Sequence, residues 1–131
     1  MAATPRPVEG LFDQPMWESI RARNMRLQCC AQCGCFRYPP APICSRCLEE
    51  QAAWVEICGR ARIVSWVIFH RPYLAAYQPP YNAIAVRLEE GPIMISNLVG
   101  AAPAASWIGA QVRMMYSEMP DGMVLPRFIL A

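Results

Sequence analysis

Four cysteines with the spacing of two metal-binding knuckles constrain this sequence more than any other feature. Cys30 and Cys33 are separated by two residues, as are Cys44 and Cys47, and ten residues lie between the two pairs. Two such turns bring four thiolates to the corners of a tetrahedron, which is the geometry that Zn²⁺ takes in structural sites. The sequence therefore predicts a zinc ribbon in which these four cysteines hold one structural zinc ion.

The closed ligand shell limits the chemistry of such a site. Four thiolates leave the metal no open coordination position, so we expect a structural ion and not a Lewis acid. Iron in a rubredoxin-like site would use similar knuckles and would make the chain an electron carrier. Gly34 follows Cys33 where the turn often needs a positive φ, whereas Leu48 follows Cys47. The missing second glycine favours zinc over iron.

Three further cysteines stand outside this spacing. Cys29 and Cys35 could each replace a neighbour as ligand, but neither makes a two-residue spacing with another cysteine of its knuckle. Cys58 lies in a predicted strand, where we expect a small buried apolar residue. No secretory signal opens the sequence, and no segment reaches the ~18–20 apolar residues of a membrane span. Metal ligation and free thiols are therefore favoured over disulfides, and we expect a cytoplasmic protein.

Changes in composition and hydrophobic pattern along the sequence divide the chain into three parts. Residues 1–24 are predicted to form a mobile arm and then a short helix, which Asp13 would cap and Pro15 would begin. Residues 25–52 contain the predicted zinc ribbon. Residues 53–131 are rich in β-branched residues and interrupted by turn signals.

The third part predicts a small closed or nearly closed barrel. Its strand-like segments have no helical stretch between most of them, and two long loops separate some of them. The main segments are Ile63–Phe69, Ala83–Leu88, Ile93–Val99, Val112–Tyr116 and Val124–Ile129.

The composition favours a chain that lies against a partner. Hydrophobic residues make up 55% and charged residues 17% of the sequence, which leaves an apolar surface. The net charge of +2 gives no broad electrostatic footprint for nucleic acid. A zinc-ribbon and barrel module that binds single-stranded nucleic acid is the alternative function. That function predicts basic stripes among exposed aromatics, but Ala83–Leu88 and Ile93–Val99 carry one arginine between them.

The sequence contains no convincing catalytic site. His70 is the only histidine and closes a predicted strand, where a backbone partner would satisfy it. Glu89 and Glu90 precede a Gly-Pro turn, which is typical of a solvated hairpin tip. There is no glycine-rich phosphate loop and no serine nucleophile elbow. We predict that the chain does not catalyse a reaction on its own.

The loop over residues 70–81 is the best candidate for recognition. It combines a cation with three phenols, and arginine and aromatic side chains are enriched at binding hot spots. The residues are Arg71, Tyr73, Tyr77 and Tyr81. The alternative is a loop that folds back on the barrel through its own tyrosines.

Several segments together resemble a known family over about residues 12–130. The first knuckle reads Leu27-Gln28-Cys29-Cys30-Ala31-Gln32-Cys33-Gly34, and the second follows Tyr38-Pro39-Pro40 as Cys44-Ser45-Arg46-Cys47. The barrel segments are Trp54–Ala61, Pro80–Val86, Ile108–Val112 and Leu125–Phe128. These resemble the thiolase-associated zinc-ribbon/OB accessory proteins, first catalogued as a domain of unknown function.

The resemblance implies a mainly β fold, in which an N-terminal helix and a rubredoxin-like zinc ribbon precede a five-stranded OB-fold barrel. It also implies a non-catalytic accessory subunit that pairs with a thiolase-like, aldolase-like or hydratase-like enzyme in a hetero-oligomer and shares its acyl-coenzyme A (CoA) ligand. The partner would supply the nucleophile and bases. Residues expected near CoA or the partner are Arg60, Arg62, Arg71, Tyr73, Tyr77 and Tyr81.

Overall fold

The computed structural model describes residues 3–131, most of whose regular structure is β-strand. The predicted fold class is confirmed, because a helix precedes a three-stranded sheet that carries the cysteines and then a curled five-stranded sheet. The elements are α1 (Gln14–Arg21), β1 (Arg26–Cys30), β2 (Phe36–Arg37), β3 (Ala52–Glu56), β4 (Arg60–Phe69), β5 (Tyr81–Leu88), β6 (Ile93–Ser96), β7 (Gln111–Glu118) and β8 (Val124–Leu130).

The smaller sheet has the order β2-β1-β3 and is antiparallel throughout. β1 pairs with β3 along its whole length, from Arg26 opposite Glu56 to Cys30 opposite Ala52. The chain therefore returns beside the strand that delivers the first knuckle before it continues into the larger sheet.

The larger sheet has the order β6-β5-β4-β7-β8, and all its neighbouring strands are antiparallel. A β-bulge between Ile63 and Ser65 bends β4. The two sheet edges approach each other where Leu98 bridges to Phe128, whose backbone N–H donates to the carbonyl oxygen of Asn97 over 3.0 Å. The sheet thus curls into a half-barrel, as in an OB fold.

The inner face of this sheet holds the core. Side chains alternate between the two faces of each strand, and Ile63, Val86, Val112 and Phe128 are each at most 1% exposed on the inner face. Burial of a side chain of this size contributes roughly 1.5–3 kcal/mol. The same alternation directs the intervening residues, several of them arginines, to the outer face.

Helix α1 lies against both sheets through one apolar face. Pro15 stands in its first turn, and Met16 and Ile20 are buried, with contacts to β1 and β8. The predicted cap by Asp13 is wrong, because the side chain makes no capping hydrogen bond. The reason is that the Asp13 backbone is already helical (φ −86°, ψ −29°), whereas a capping side chain needs an extended backbone. Its Oδ2 instead accepts the N–H of Gly10 over 3.4 Å.

The N-terminal arm is anchored, which differs from the mobile arm that we expected. Thr4 is buried, and its backbone N–H donates to Oδ2 of Asp121 over 2.7 Å, in the turn between β7 and β8. This bond, followed by the N–H of Met123, holds the pKa of Asp121 below its usual value. Glu9 forms a second anchor through a 3.0 Å ion pair with Arg21. The first two residues of the arm lie outside the described residues.

Hydrogen bonds from the segments that flank β1 and β3 connect the smaller sheet to the larger one. The backbone N–H of Met25, just before β1, donates to the Tyr116 hydroxyl of β7 over 2.7 Å. After β3, the N–H of Cys58 donates to Oε2 of Glu90 over 2.8 Å. Across residues 3–131, no helix is long and apolar enough to span a membrane.

Candidate metal centre and arginine face

Four cysteine sulfurs converge at one end of the smaller sheet. The Sγ atoms of Cys30, Cys33, Cys44 and Cys47 all lie within 4.8 Å of one another. The separations are 3.5 Å between Cys30 and Cys47 and 3.6 Å between Cys33 and Cys44. A tetrahedral zinc–thiolate site requires sulfurs about 3.8 Å apart, whereas a disulfide requires about 2 Å. The four thiols therefore have the spacing of a tetrahedral metal site, and they fit a zinc ion.

The two knuckles share one hydrogen-bond pattern. In the first, the N–H of Gly34 donates to the Cys30 carbonyl over 3.0 Å, and the Cys30 N–H donates to the Cys35 carbonyl over 2.8 Å. The second repeats this pattern at the same offsets around Cys44, with distances of 3.0 and 2.9 Å. Leu48, at the position equivalent to Gly34, adopts the same left-handed backbone, with φ of 66° against 76°. The missing glycine therefore leaves the knuckle geometry unchanged.

The backbone of each knuckle stabilises a thiolate at its first cysteine. The N–H of Cys33 lowers the pKa of the Cys30 thiol to about 6 despite desolvation. The N–H of Cys47 likewise lowers the pKa of Cys44. For Cys33, the N–H of Cys35 acts in the same direction, but desolvation and the sulfurs of its neighbours outweigh it and raise the pKa to about 12. A divalent cation would replace the protons that these neighbouring sulfurs retain.

A buried arginine and a buried glutamine hold the loop between the knuckles. Arg37 is 5% exposed, and its guanidinium donates to the carbonyls of Glu49 (2.7 Å), Ala41 (3.2 Å) and Glu50 (3.4 Å). Gln28, opposite Arg37 in the sheet, accepts the N–H of Ala41 over 2.8 Å. These contacts fix the second knuckle relative to the first through protein atoms alone.

The remaining cysteines lie outside the four-sulfur cluster. Cys29 and Cys35 are half-buried, and the Cys29 thiol donates to the Gly34 carbonyl over 3.4 Å. The prediction that Cys58 is a buried strand residue is wrong, because it is exposed and lies between β3 and β4. The chain leaves the strand there because Gly59 turns it with a φ of 83°.

Cys58 instead joins a polar cluster with the turn between β5 and β6. One oxygen of Glu89, Oε2, accepts the Cys58 thiol at 2.8 Å and the Arg60 atoms Nε and Nη2 at 2.9 and 2.7 Å. Partial desolvation and then this hydrogen bond raise the pKa of Cys58 to about 11. The thiol and then Arg60 hold the pKa of Glu89 below its usual value. The two glutamates thus bind the segment that connects the two sheets. The sequence had predicted that they form a solvated hairpin tip.

Four arginines share the outer face of the larger sheet, and we call this surface the arginine face. Arg62 lies directly opposite Arg87 of β5, and Arg60 lies directly opposite Arg113 of β7. All four are exposed. Arg60, Arg62 and Arg87 line an open groove of 580 Å³. Among residues 3–131, the carboxylate that forms a salt bridge with this face is Glu89, through Arg60.

The predicted recognition loop lies at the other end of β4. Phe69 stacks on Tyr81 at 5.0 Å and meets Tyr73 edge-on at 5.5 Å, while Tyr77 lies 5.7 Å from Tyr81. The tyrosines therefore contact one another and the end of β4. Arg71 follows this strand, whereas Arg60 and Arg62 begin it. The stretch of β4 from Arg62 to Phe69 alone spans roughly 23 Å at about 3.3 Å per residue. The structure thus brings Arg60 and Arg62 together, and the three tyrosines together, in two separate places.

Comparison with known proteins identifies the family. The family model for the C-terminal OB-fold domain of ChsH2 matches residues 54–116. A DUF35 domain-containing scaffold protein of Methanothermobacter thermautotrophicus is 31% identical over an alignment of 119 positions, and the match covers 82% of this chain and 86% of the relative. The chain belongs to the DUF35 family. This membership confirms the resemblance seen in the sequence.

Two other proteins that this chain resembles carry the names of enzymes. A solved structure described as "Ltp2-ChsH2(DUF35) aldolase" is 32% identical, with a TM-score of 0.86, over 95% of this chain and 98% of that one. A "Probable enoyl-CoA hydratase alpha subunit" of Thermomonospora curvata is 33% identical over 97% of this chain but 40% of its own length. This chain thus spans about two fifths of the length of that hydratase subunit.

Sequence reasoning missed several residues of these sites in the DUF35 chain. Arg37 reads as an ordinary strand arginine, and only its place between two cysteine pairs hinted at a role. Arg87 and Arg113 lie 25 and 53 positions from their partners Arg62 and Arg60, so only the strand register reveals the pairs. A further stack, of Trp66 on Trp107 at 4.4 Å, joins β4 to the long loop before β7.

Proposed function

We propose that this DUF35 protein is a non-catalytic accessory subunit of an acyl-CoA-processing complex. It pairs with an aldolase-like or thiolase-like enzyme, or with a hydratase-like one, and helps to bind the CoA thioester. The observation that carries the proposal is the likeness to the DUF35 chain described with an aldolase, which extends over 95% of this chain at a TM-score of 0.86. A match of that extent and identity supports a shared mode of use as well as a shared fold.

The side chains of the protein indicate which groups the enzyme partner must supply. His70 is exposed in the loop after β4, and the carboxylates of Glu89 and Glu90 are engaged by Cys58 and Arg60. This arrangement suits a structural clip more than a general base. The enzyme partner then supplies the nucleophile and bases, and the chain described here supplies surface.

We propose a structural role for zinc at the four cysteines. The ion would join the two knuckles of the ribbon. All four positions would be filled by Cys30, Cys33, Cys44 and Cys47, so the ion would have no place for substrate. Its contribution is to make one rigid surface of the ribbon.

Two surfaces support the proposed contact with CoA and the partner. The arginine face offers guanidinium groups, which bind phosphate as planar forks. The loop of Arg71, Tyr73 and Tyr77, with Tyr81 at the start of β5, offers an exposed tyrosine, Tyr73, beside two half-buried ones. Exposed apolar residues near it include Val67 (49%), Tyr73 (65%) and Leu74 (47%), which fits a surface that a partner covers.

Co-purification from the source organism with a tagged chain tests the proposal. We expect a stoichiometric thiolase-fold or hydratase-fold enzyme, identified by mass spectrometry. The purified complex should then show a lower apparent KM for its acyl-CoA than the partner alone. A chain that elutes alone, in a host that expresses such enzymes, would contradict the accessory role.

Binding of single-stranded nucleic acid is the alternative function, and the arginine face gives it one specific observation in its favour. An OB-fold barrel of that kind combines a basic groove with aromatic stacking platforms. Here the four arginines and the aromatic loop lie at opposite ends of β4. Tight, salt-sensitive binding of an oligonucleotide, without an effect of CoA, would favour the alternative.

A further inference from the structure

We propose that the arginine face binds the phosphate groups at the nucleotide end of a CoA thioester. Arg87 and Arg113 share this task with Arg60 and Arg62, while Glu89 acts as a built-in competitor. The proposed function supplies the identity of the ligand, and the inference deepens it. The face itself carries the argument for a phosphate-bearing ligand.

The first step is the register of the strands. Directly opposed residues in antiparallel strands have their β-carbons about 5 Å apart, so like charges in such positions repel each other. This sheet contains two such pairs side by side, Arg62 with Arg87 and Arg60 with Arg113. These four side chains point away from the core, so packing of the core does not require arginine at their positions. A bound polyanion removes the repulsion and accepts several guanidinium hydrogen bonds at once.

The second step is shape and charge. Arg60, Arg62 and Arg87 line a groove of 580 Å³, a volume within the range of small-ligand sites. The exposed side chain of Val64 adds an apolar part to its lining. Four arginines and Glu89 leave the face with a net charge of +3, which complements a nucleotide that carries a diphosphate and a ribose phosphate.

The third step concerns Glu89. Its Oε2 already lies 2.9 Å from Arg60 Nε and 2.7 Å from Nη2, so a ligand phosphate must compete with it for this guanidinium. Arg62 and Arg87 instead donate to the backbone carbonyls of Gly109 (3.3 Å) and Gly91 (3.0 Å), which are neutral. Glu89 therefore weakens binding at one corner of the face, and its removal should strengthen it.

The test is calorimetric titration of the purified chain with adenosine 3′,5′-bisphosphate at low ionic strength. We expect Arg87→Met and Arg113→Met each to weaken binding by about tenfold, the effect of one charge-assisted hydrogen bond. Glu89→Gln should tighten binding, by roughly threefold or more, and this gain cannot arise from misfolding. Arg26→Met, which removes an exposed arginine from β1, is the matched control and should change nothing.

The outcomes separate this inference from the proposed function. If the partner complex binds acyl-CoA but Arg87→Met and Glu89→Gln leave the affinity for the bisphosphate unchanged, the arginine-face assignment is overturned and the accessory role stands. If the chain binds the bisphosphate with the predicted variant pattern but has no enzyme partner, the face stands and the accessory role falls. Equal weakening by Arg26→Met would show non-specific charge attraction and would also overturn the assignment.

Discussion

The guanidinium Nη2 of Arg37 lies 2.7 Å from the carbonyl oxygen of Glu49, and this contact joins the two knuckles of the four-cysteine cluster. The same carbonyl accepts the backbone N–H of Cys44 over 2.9 Å. Arg37 follows the first knuckle directly, in β2. Together with Gln28, this buried side chain therefore positions the second pair of cysteines relative to the first.

Replacement of Arg37 by methionine should destabilise the ribbon. The variant removes the charged donor of three hydrogen bonds to the carbonyls of Ala41, Glu49 and Glu50, and we expect the free energy of unfolding to fall by about 2–3 kcal/mol. Denaturant unfolding measures this loss, and transfer of zinc to a chromogenic chelator should become faster. Arg46→Met, at an exposed arginine of the second knuckle, is the control. Equal stability of R37M and R46M would contradict the bracing role.

The metal content gives the second prediction. We expect one zinc ion per chain by plasma mass spectrometry and a colourless solution. Cys44→Ser should lose the metal, because this sulfur is 1% exposed within the cluster and has no substitute. Cys29→Ser should retain it, because Cys29 lies outside the cluster. A red protein with visible absorption would instead indicate iron and an electron carrier.

The left-handed backbone at Leu48 gives the third prediction. A side chain at a φ of 66° is strained, and Leu48 is 68% exposed, so little packing opposes its removal. Leu48→Gly should raise the free energy of unfolding by roughly 0.5–1 kcal/mol, since glycine adopts this conformation without steric cost.

The controls for this prediction are matched by position and by side chain. Leu48→Ala keeps the β-carbon and should show no gain. Gly34→Ala, at the equivalent place in the first knuckle, should lower the free energy of unfolding by about 1 kcal/mol. Open space surrounds Gly34, so only the backbone opposes the change. A stabilising effect of Leu48→Ala would show that the exposed leucine side chain, and not the left-handed backbone, lowers the stability of the protein.

The fourth prediction concerns the reactivity of Cys58. Its folded pKa of about 11 lies above the unfolded value of 9.0. The thiol therefore stabilises the fold below pH 9, and this contribution is lost as the pH rises towards 11. At pH 8 the thiolate is scarce, so alkylation of Cys58 by iodoacetamide should be slow in the folded protein despite its exposure.

Glu89→Gln tests the cause of this protection. The variant removes a negative acceptor of the Cys58 thiol, so the pKa should fall, and alkylation measured by peptide mass spectrometry should become several-fold faster. Desolvation remains in the variant, so the pKa should stay above 9.0. Glu118→Gln, which alters an exposed acid paired with Arg23, is the control. Unchanged alkylation of Cys58 in E89Q would assign the protection to desolvation alone.

The sequence by itself determined the features that depend on neighbours along the chain. The convergence of Cys30, Cys33, Cys44 and Cys47 was predictable because each knuckle closes within a few residues, and the spacing of its cysteines sets the turn. Strand segments from β4 to β8 were readable from alternation and turn residues, since one face of each strand must be buried. The order of helix, ribbon and barrel follows from these local signals.

Only the tertiary structure decided which distant residues meet. Arg62 and Arg87 face each other because β4 and β5 pair in one register beside a bulge, and a shift by one residue would turn either arginine to the other face. Cys58 is exposed because a glycine turn ends its strand early, and Asp13 does not cap its helix because its backbone is helical. Each outcome results from competition between local preference and the packing of two sheets, and that packing is absent from any short window of sequence.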